Sequence, residues 1–316
     1  MRSRTELGLG LGLGLRLGLG LALVAGCGDH ARERDARATI EVTDHAGREV
    51  RLAGPASRVI ALIPAATETV LALGAGDRLV ARTDYDTQPE LRSLPSVGGG
   101  LTPSVEWLIA HSPDLVIAWP DGESRDVVLR LEAAGIAVYG ARLESVDAVL
   151  TAIRDVGALL GRAGRADALA VSISARLDSV RSRVADAPRP AVLYLLSWDP
   201  PFVAGPGSFI DELIRIAGGR NAFADASSGW PQVSLEAVVR RQPDVIIVPV
   251  EHEWAGAGAG ALASLRGLPG WRDLDAVREG RVHEVDGALF NRPGPRIAET
   301  VRRLTDLLHL PSGGGP

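Results

Sequence analysis

The chain has 316 residues, a formal net charge of −5 and one cysteine. This length is sufficient for two domains with full-sized hydrophobic cores. All of its basic side chains other than histidine are arginine and they form no basic run, so a nucleic-acid partner is not expected. The single cysteine, Cys27, excludes an intramolecular disulfide. Aromatic residues make up only 4% of the chain, so their positions help to locate a ligand site.

Residues 1–27 are predicted to be a lipoprotein signal. Arginines near the start precede a short apolar stretch that ends in small residues, and the sequence VAGC at 24–27 resembles a bacterial lipobox. Cys27 would then be lipidated and anchor the exported protein, in the periplasm or at the cell surface. A transmembrane helix is the alternative, but Arg16 interrupts it, and a central charge costs about 2.5–3.5 kcal/mol on insertion scales. The polar residues 28–37 are predicted to be a flexible tether.

Residues 38–144 are predicted to form a first α/β lobe. Short β-branched runs alternate with helical patterns that end at glycine, which is typical of parallel α/β structure. The predicted elements are a hairpin of 39–42 and 49–52, strand 59–62, helix 64–73, strand 79–81, helix 124–134 and strand 136–139.

Residues 145–187 are predicted to be a linking helical segment, and 188–311 a second α/β lobe. Apolar residues in the link recur at intervals of three and four, which predicts one long helix with a continuous apolar stripe. The second lobe is predicted to contain strand 191–196, helix 208–217, strand 281–285 and helix 296–308. The tail 312–316 is predicted to be disordered.

One stretch of sequence occurs once in each predicted lobe. SVEWLIAHSPDLVIAW at 104–119 and SLEAVVRRQPDVIIVP at 234–249 are offset by 234 − 104 = 130 positions. Each begins with a serine that can cap a helix, has a glutamate in the first turn, and continues through a proline into a buried strand. The simplest architecture is therefore two similar α/β lobes with mainly parallel sheets, joined by one long helix.

Several of the few aromatic residues are predicted to gather at one edge of both lobes. Tyr85, Trp119, Trp198 and Phe202 follow predicted strands, and Trp230 precedes the second repeat helix. In open α/β sheets, ligands bind beyond the carboxyl ends of the strands. Two such edges that face each other would form a cleft with aromatic walls, suited to a large and partly flat ligand.

Enzyme motifs are weak in this sequence. The glycines at 98–100 match neither phosphate-loop pattern and are better explained as turn residues. The acid–histidine cluster at 251–253 has no second histidine partner, so neither a catalytic nor a metal site is expected. Trp107 and Trp271 are assigned to packing.

Six sequence segments resemble a known family. They are VIALIPAATET at 59–69, PDLVIAW at 113–119, DPPFVAG at 199–205, AGGRN at 217–221, WPQVSLE at 230–236 and NRPGPRI at 291–297. Together they are similar to the helical-backbone substrate-binding proteins of ABC importers, which carry cobalamin, siderophores or haem, and most of all to the cobalamin binders. The resemblance covers about Val59 to Leu308.

The resemblance implies a function and a set of site residues. It implies a monomeric, non-enzymatic protein without a cofactor that captures cobalamin or a related corrinoid in the interlobe cleft and delivers it to a permease dimer. It assigns permease contacts to Glu106 and Glu236. It assigns ligand contacts to Tyr85, Trp119, Phe202, Trp230 and Arg292.

Two departures from the cobalamin binders leave the ligand open. Gly100 stands where they have a further aromatic residue, and the acid expected four residues before Arg292 falls on Ala288, with Asp286 as the nearest substitute. A ferric siderophore or haem binder of the same family is the alternative. A more remote alternative is an enzyme on a two-lobed α/β scaffold.

Overall fold

A computed structural model describes residues 39–250 and 260–309. The predicted lipoprotein signal, the tether, the 251–253 cluster and the tail 312–316 lie outside the described residues. Within the described ranges, no helix combines the length and apolar character needed to cross a membrane.

The first lobe contains a hairpin and a three-stranded sheet. Its elements are β1 (Ile40–Thr43), β2 (Glu49–Leu52), β3 (Val59–Ala61), α1 (Pro64–Ala72), α2 (Val105–Ala110), β4 (Leu115–Ala118), α3 (Arg125–Ala133) and β5 (Ala137–Gly140). Strands β1 and β2 pair antiparallel, whereas β3, β4 and β5 are parallel and lie in that order. Strands β3 and β4 are buried along their whole length, as expected for parallel strands covered on both faces.

The strand predicted at 79–81 is wrong, because only one bridge forms there. Leu79 bridges Val59, and the Val80 N–H donates to the Val59 carbonyl at 3.0 Å. The chain then leaves the sheet edge. The Arg82 backbone pairs with the loop at Pro95, and the buried Thr83 N–H donates to the Asp86 carboxylate at 2.7 Å. The backbone N–H groups of Arg82 and Thr83 therefore bond outside the sheet, and the chain does not continue as a strand along β3.

Two helices follow the first sheet. They are α4 (Val146–Leu159) and α5 (Ala163–Arg183), and α5 is the longest helix in the described ranges. The predicted apolar stripe of α5 is buried at Ala166, Ile173, Leu177, Val180 and Val184. Gly157 lies where α4 and α5 approach closely, and a Cβ there would overlap the Cβ of Ala166. Small residues thus allow the two helices to pack together.

The second lobe contains a five-stranded sheet. Its elements are β6 (Ala191–Trp198), β7 (Pro201–Val203), α6 (Phe209–Ile216), β8 (Arg220–Asn221), α7 (Leu235–Arg241), β9 (Val245–Val250), α8 (Ala261–Gly267), α9 (Asp275–Arg278), β10 (Val282–Asp286), α10 (Gly287–Phe290) and α11 (Ile297–His309). The order is β10-β9-β6-β7, with β8 also on β6. All pairs are parallel except β6 with β7.

Helix α5 connects the two lobes. It packs against α4 beside the first sheet, and against α6 and α11 beside the second. A further direct contact joins α4 to α6, because the Val146 N–H donates to Glu212 Oε2 at 2.8 Å. A helix of 21 residues spans about 30 Å. The predicted fold class, two α/β lobes with parallel sheets joined by one long helix, is confirmed.

The repeated stretch has the same local structure in both lobes. Ser104 and Ser234 cap α2 and α7, each accepting the backbone N–H three residues later at 3.2 Å. The residues before the two prolines, Ser112 and Gln242, both have positive φ, near 47° and 42°. Proline disfavours the right-handed α conformation in its predecessor, so each helix ends there and the chain turns into β4 or β9. The duplication predicted from sequence is therefore also a duplication of structure.

Candidate functional site

Two adjoining cavities lie between elements of both lobes. The larger measures about 470 Å³ and the smaller about 200 Å³, and both are lined by Trp119, Asn291 and Pro293. Trp119 directly follows β4, whereas Asn291 and Pro293 follow α10 in the second lobe. The cavities thus lie beyond the carboxyl end of a parallel strand, where ligands bind in open α/β sheets. The combined volume of the two cavities falls in the range of about 300–1,000 Å³ that is typical of ligand pockets.

Aromatic side chains form the walls of the larger cavity. Trp119 contributes from the first lobe, and Trp230 and Phe209 contribute from the second. The Trp230 ring lies 6.4 Å from Phe209 and 6.5 Å from Phe202, measured between ring centroids. Phe202 contacts Trp230 without itself lining either cavity. Trp230 keeps 38% of its surface exposed, so its indole is available to a ligand.

Tyr85 and Arg292 line the smaller cavity together with Trp119. Tyr85 is 57% exposed, and its backbone carbonyl accepts a hydrogen bond from Arg292 Nη2 at 2.8 Å. Four of the five predicted ligand contacts therefore line the two cavities. The fifth, Phe202, contacts the indole ring of Trp230.

The acid that pairs with Arg292 comes from the other lobe. Glu68 on α1 accepts from Arg292 Nη1 at 3.2 Å and from Arg296 at 2.7 and 2.9 Å. Asp286, the sequence-based substitute for this acid, instead caps α10 by accepting the Ala288 N–H at 2.9 Å. The hydrogen bond to Glu68 raises the pKa of Arg296. Glu68 and the arginines thus form an ion cluster between the lobes at the wall of the smaller cavity.

The lining residues that were not predicted from the sequence include Phe209, Glu144 and Asn291. Phe209 begins α6 and Glu144 follows β5. Asn291 lies next to Arg292, and its Oδ1 accepts a hydrogen bond from the buried hydroxyl of Tyr194 at 2.6 Å. The Asn291 side-chain amide nitrogen carries two N–H donors, and Asn291 lines both cavities. Asn291 could have been predicted as a site residue from its position next to Arg292. Phe209 could have been predicted because the chain has only four phenylalanines.

The remaining tryptophans that the structure describes lie outside the cavities. Trp271 is 2% exposed in the second-lobe core, as expected for packing. Trp107 is half-buried and stacks on His111, with ring centroids 3.5 Å apart. Trp198 packs against the second-lobe core, because β6 continues to that residue rather than ending at Leu196.

Glu106 and Glu236 are exposed in the first turns of α2 and α7. A hydrogen bond from its own backbone N–H lowers the pKa of each carboxyl group. Glu106 also pairs with Arg130 and Glu236 with Ser234. Both carboxylates are thus held ionised at equivalent positions on the two lobes.

Comparisons with known proteins identify the class. Residues 59–289 match the family described as periplasmic binding protein, so the chain belongs to that family. Its members are binding proteins, so the expectations of a non-enzymatic protein and of a transported ligand instead of a cofactor are confirmed. Among residues 39–250 and 260–309, no group of three or more potential metal ligands is found.

Individual relatives suggest more than one ligand. The chain is 30% identical over 301 residues to an uncharacterized ABC transporter substrate-binding lipoprotein of Bacillus subtilis, covering 90% of this chain and 93% of that protein. The periplasmic vitamin B12-binding protein of Vibrio cholerae matches with a TM-score of 0.69 and 30% identity, covering 80% and 97%. A periplasmic haem-binding protein from Roseiflexus matches with a TM-score of 0.71 and 30% identity, covering 80% and 98%.

Proposed function

We propose that this protein is the substrate-binding lipoprotein of an ABC importer and that its ligand is cobalamin or a related corrinoid. The observation that carries the proposal is the cavity lined by Trp119 from one lobe and by Trp230 and Phe209 from the other. Flat aromatic walls of this kind suit a large macrocycle, which can bury apolar area against indole rings. Similarity to a vitamin B12-binding protein supports the same ligand.

The charge of the cavity walls favours a corrinoid over haem. The only charged residues lining the two described cavities are Glu144 and Arg292, and Arg292 is already paired with Glu68. Haem and many ferric chelates carry carboxylates, which are best bound by unpaired arginine or lysine. A corrinoid carries neutral amides at its periphery. Such amides can accept from Asn291 and donate to Glu144.

Haem is the second candidate, for a specific reason. Tyr85 borders the smaller cavity with its ring exposed, and a phenolic oxygen can serve as an iron ligand in haem proteins. The similarity to the haem-binding protein from Roseiflexus is as high as that to the vitamin B12-binding protein.

A titration of the purified protein with cobalamin, cobinamide, haem and a ferric siderophore tests the proposal. We expect corrinoids to quench tryptophan fluorescence saturably, with lower dissociation constants than the other ligands. Tighter binding of haem, accompanied by a tyrosinate–iron absorption band that Tyr85→Phe abolishes, would refute the corrinoid assignment in favour of haem.

Delivery to the permease would use Glu106 and Glu236. Both are exposed carboxylates at equivalent positions of the two lobes, and α5 packs against both lobes. Each carboxylate could therefore contact one subunit of a permease dimer. Charges at the rim of an interface govern mainly encounter and orientation. The lipid on Cys27 would keep the monomer at the membrane near this partner, as the lipoprotein name of the Bacillus subtilis relative suggests.

A further inference from the structure

We propose that Glu68 sets the charge preference of the cleft, because it supplies the counter-charge of Arg292 and so makes the site favour amide-bearing ligands over carboxylate-bearing ones. The inference rests on the proposed function and assigns a specificity-determining role to a residue that need not touch the ligand.

The geometry places one carboxylate between two guanidinium groups. Glu68 is 8% exposed and accepts three hydrogen bonds, one from Arg292 at 3.2 Å and two from Arg296 at 2.7 and 2.9 Å. The Arg292 side chain is 13% exposed and lines the smaller cavity next to Tyr85 and Trp119. A buried charge needs a partner because desolvation is costly, and Glu68 is that partner for the cation nearest the ligand.

The surrounding charges leave the cluster close to neutral. Asp286 and Glu299 lie near enough to Arg296 to contribute to its raised pKa, after Glu68. Arg296 also donates to the Ala288 carbonyl at 2.8 Å. Arg292 therefore depends on Glu68 for its counter-charge, and replacing Glu68 with a neutral residue would leave a guanidinium at the cavity wall without a paired anion.

A purely structural role for Glu68 makes a different prediction. Glu68 belongs to the first lobe and both arginines belong to the second, so the cluster also ties the lobes together. If that were its only role, loss of the charge would weaken binding of all ligands by a similar factor. If Glu68 screens Arg292, the ratio of affinities for amide and carboxylate ligands must change.

Two corrins of the same ring shape separate these roles. Dicyanocobinamide carries side-chain amides, whereas cobyrinic acid carries carboxylates at the same positions. We expect the wild-type protein to prefer dicyanocobinamide. In Glu68→Gln, the affinity ratio should move toward cobyrinic acid by about tenfold or more, the size of one charge-assisted hydrogen bond gained. The gain should shrink at high salt.

Two further variants act as controls. Glu49→Gln removes an exposed carboxylate paired with Arg51 on the hairpin, and it should leave the ratio unchanged because it alters net charge by the same amount away from the cleft. Adding Arg292→Gln to Glu68→Gln should restore the wild-type ratio, since the cation at the cavity wall is then gone and Arg296 does not line either cavity. Thermal unfolding of each variant reports whether it is folded.

The outcomes distinguish this inference from the proposed function. A wild-type protein that binds neither corrin refutes the proposed function. A wild-type protein that prefers dicyanocobinamide, with an unchanged ratio in folded Glu68→Gln, refutes the inference alone. If Glu68→Gln does not fold, Arg292→Gln decides, because Glu68 keeps its two bonds to Arg296 there. Because a screened Arg292 adds little to carboxylate binding, the ratio should stay close to that of the wild type, and a shift away from cobyrinic acid by about tenfold or more overturns the inference.

Discussion

Trp230→Ala should weaken corrinoid binding while leaving the stability of the protein nearly unchanged. The indole ring lies at the wall of the larger cavity and is supported on one side by Phe202 and Phe209. Its outer surface is exposed, so a ligand can cover it. Alanine removes this apolar surface without opening a void in either core.

The size of the effect follows from the exposed area. An aromatic side chain carries up to about 250 Å² of surface. Since 38% of Trp230 is exposed, a ligand can cover about 95 Å² of it at most, worth about 2.4 kcal/mol at 25 cal/mol per Å². The dissociation constant should therefore rise by up to about 50-fold.

Isothermal titration calorimetry with dicyanocobinamide measures this change without relying on the removed fluorophore. Trp271→Ala is the matched control, because Trp271 is buried in the second-lobe core. It should reduce the free energy of unfolding by about 3–5 kcal/mol and leave the affinity of the folded fraction unchanged. The reasoning is refuted if Trp230→Ala binds as well as the parent but unfolds as easily as Trp271→Ala.

Three further outcomes are expected. Glu106→Arg combined with Glu236→Arg should leave ligand affinity intact and abolish uptake through the cognate permease. Normal transport by this variant would mean that the two glutamates only stabilise the N-termini of their helices. Mass spectrometry of the protein from its native membrane should find diacylglycerol on Cys27, and a membrane-bound form with an unmodified thiol contradicts this. Gly157→Ala should lower the free energy of unfolding by about 1–3 kcal/mol, because its methyl group meets Ala166, and a denaturant melt showing no loss would contradict that packing.

The fold was predictable because its main signals are local. The serine caps, the residues before the prolines and the buried strands of the repeat lie within 16 positions of one another in each lobe. Asp114 and Asp244 have a shared role. The Asp114 carboxylate accepts the Ser57 N–H, two residues before β3, at 2.8 Å, and the Asp244 carboxylate accepts the Ala191 N–H, at the start of β6, at 2.6 Å. Such short-range patterns can be recognised without knowing the tertiary structure.

The partners within the site were less predictable because they are distant in sequence. Glu68 and Arg292 are 224 positions apart, whereas the acid predicted as the partner of Arg292, Asp286, lies only six positions before it in the sequence. A sequence contains no periodicity that joins α1 to the segment after α10. By contrast, Trp119 and Trp230 were predictable as cleft residues, because each borders one copy of the repeat and the repeat fixes which edge of the lobe it occupies.

Gly100 shows how a departure from the family pattern can be a requirement of the backbone. Its φ is +85°, and a Cβ at this position would overlap the Leu62 carbonyl oxygen. A residue with a side chain would therefore be unfavourable here for two reasons: the positive φ, and the overlap of its Cβ with the Leu62 carbonyl oxygen. The missing aromatic residue in this loop is a consequence of how closely the loop approaches β3. Its absence gives no evidence against a flat ligand, because Tyr85 already occupies the neighbouring rim.

The contacts between the lobes indicate how the cleft can discriminate between ligands. Helix α5 packs against elements of both lobes, and Glu68 holds two arginines across the gap. Large opening of the cleft would have to break the bonds to Glu68, which is 8% exposed, and so leave a buried carboxylate without its partners. Selection is therefore expected to depend on the shape and charge of walls already in place. We therefore expect substitutions of Trp230 and Glu68 to affect different properties: Trp230 the apolar area buried by the ligand, and Glu68 the preference between amide and carboxylate groups on the ligand.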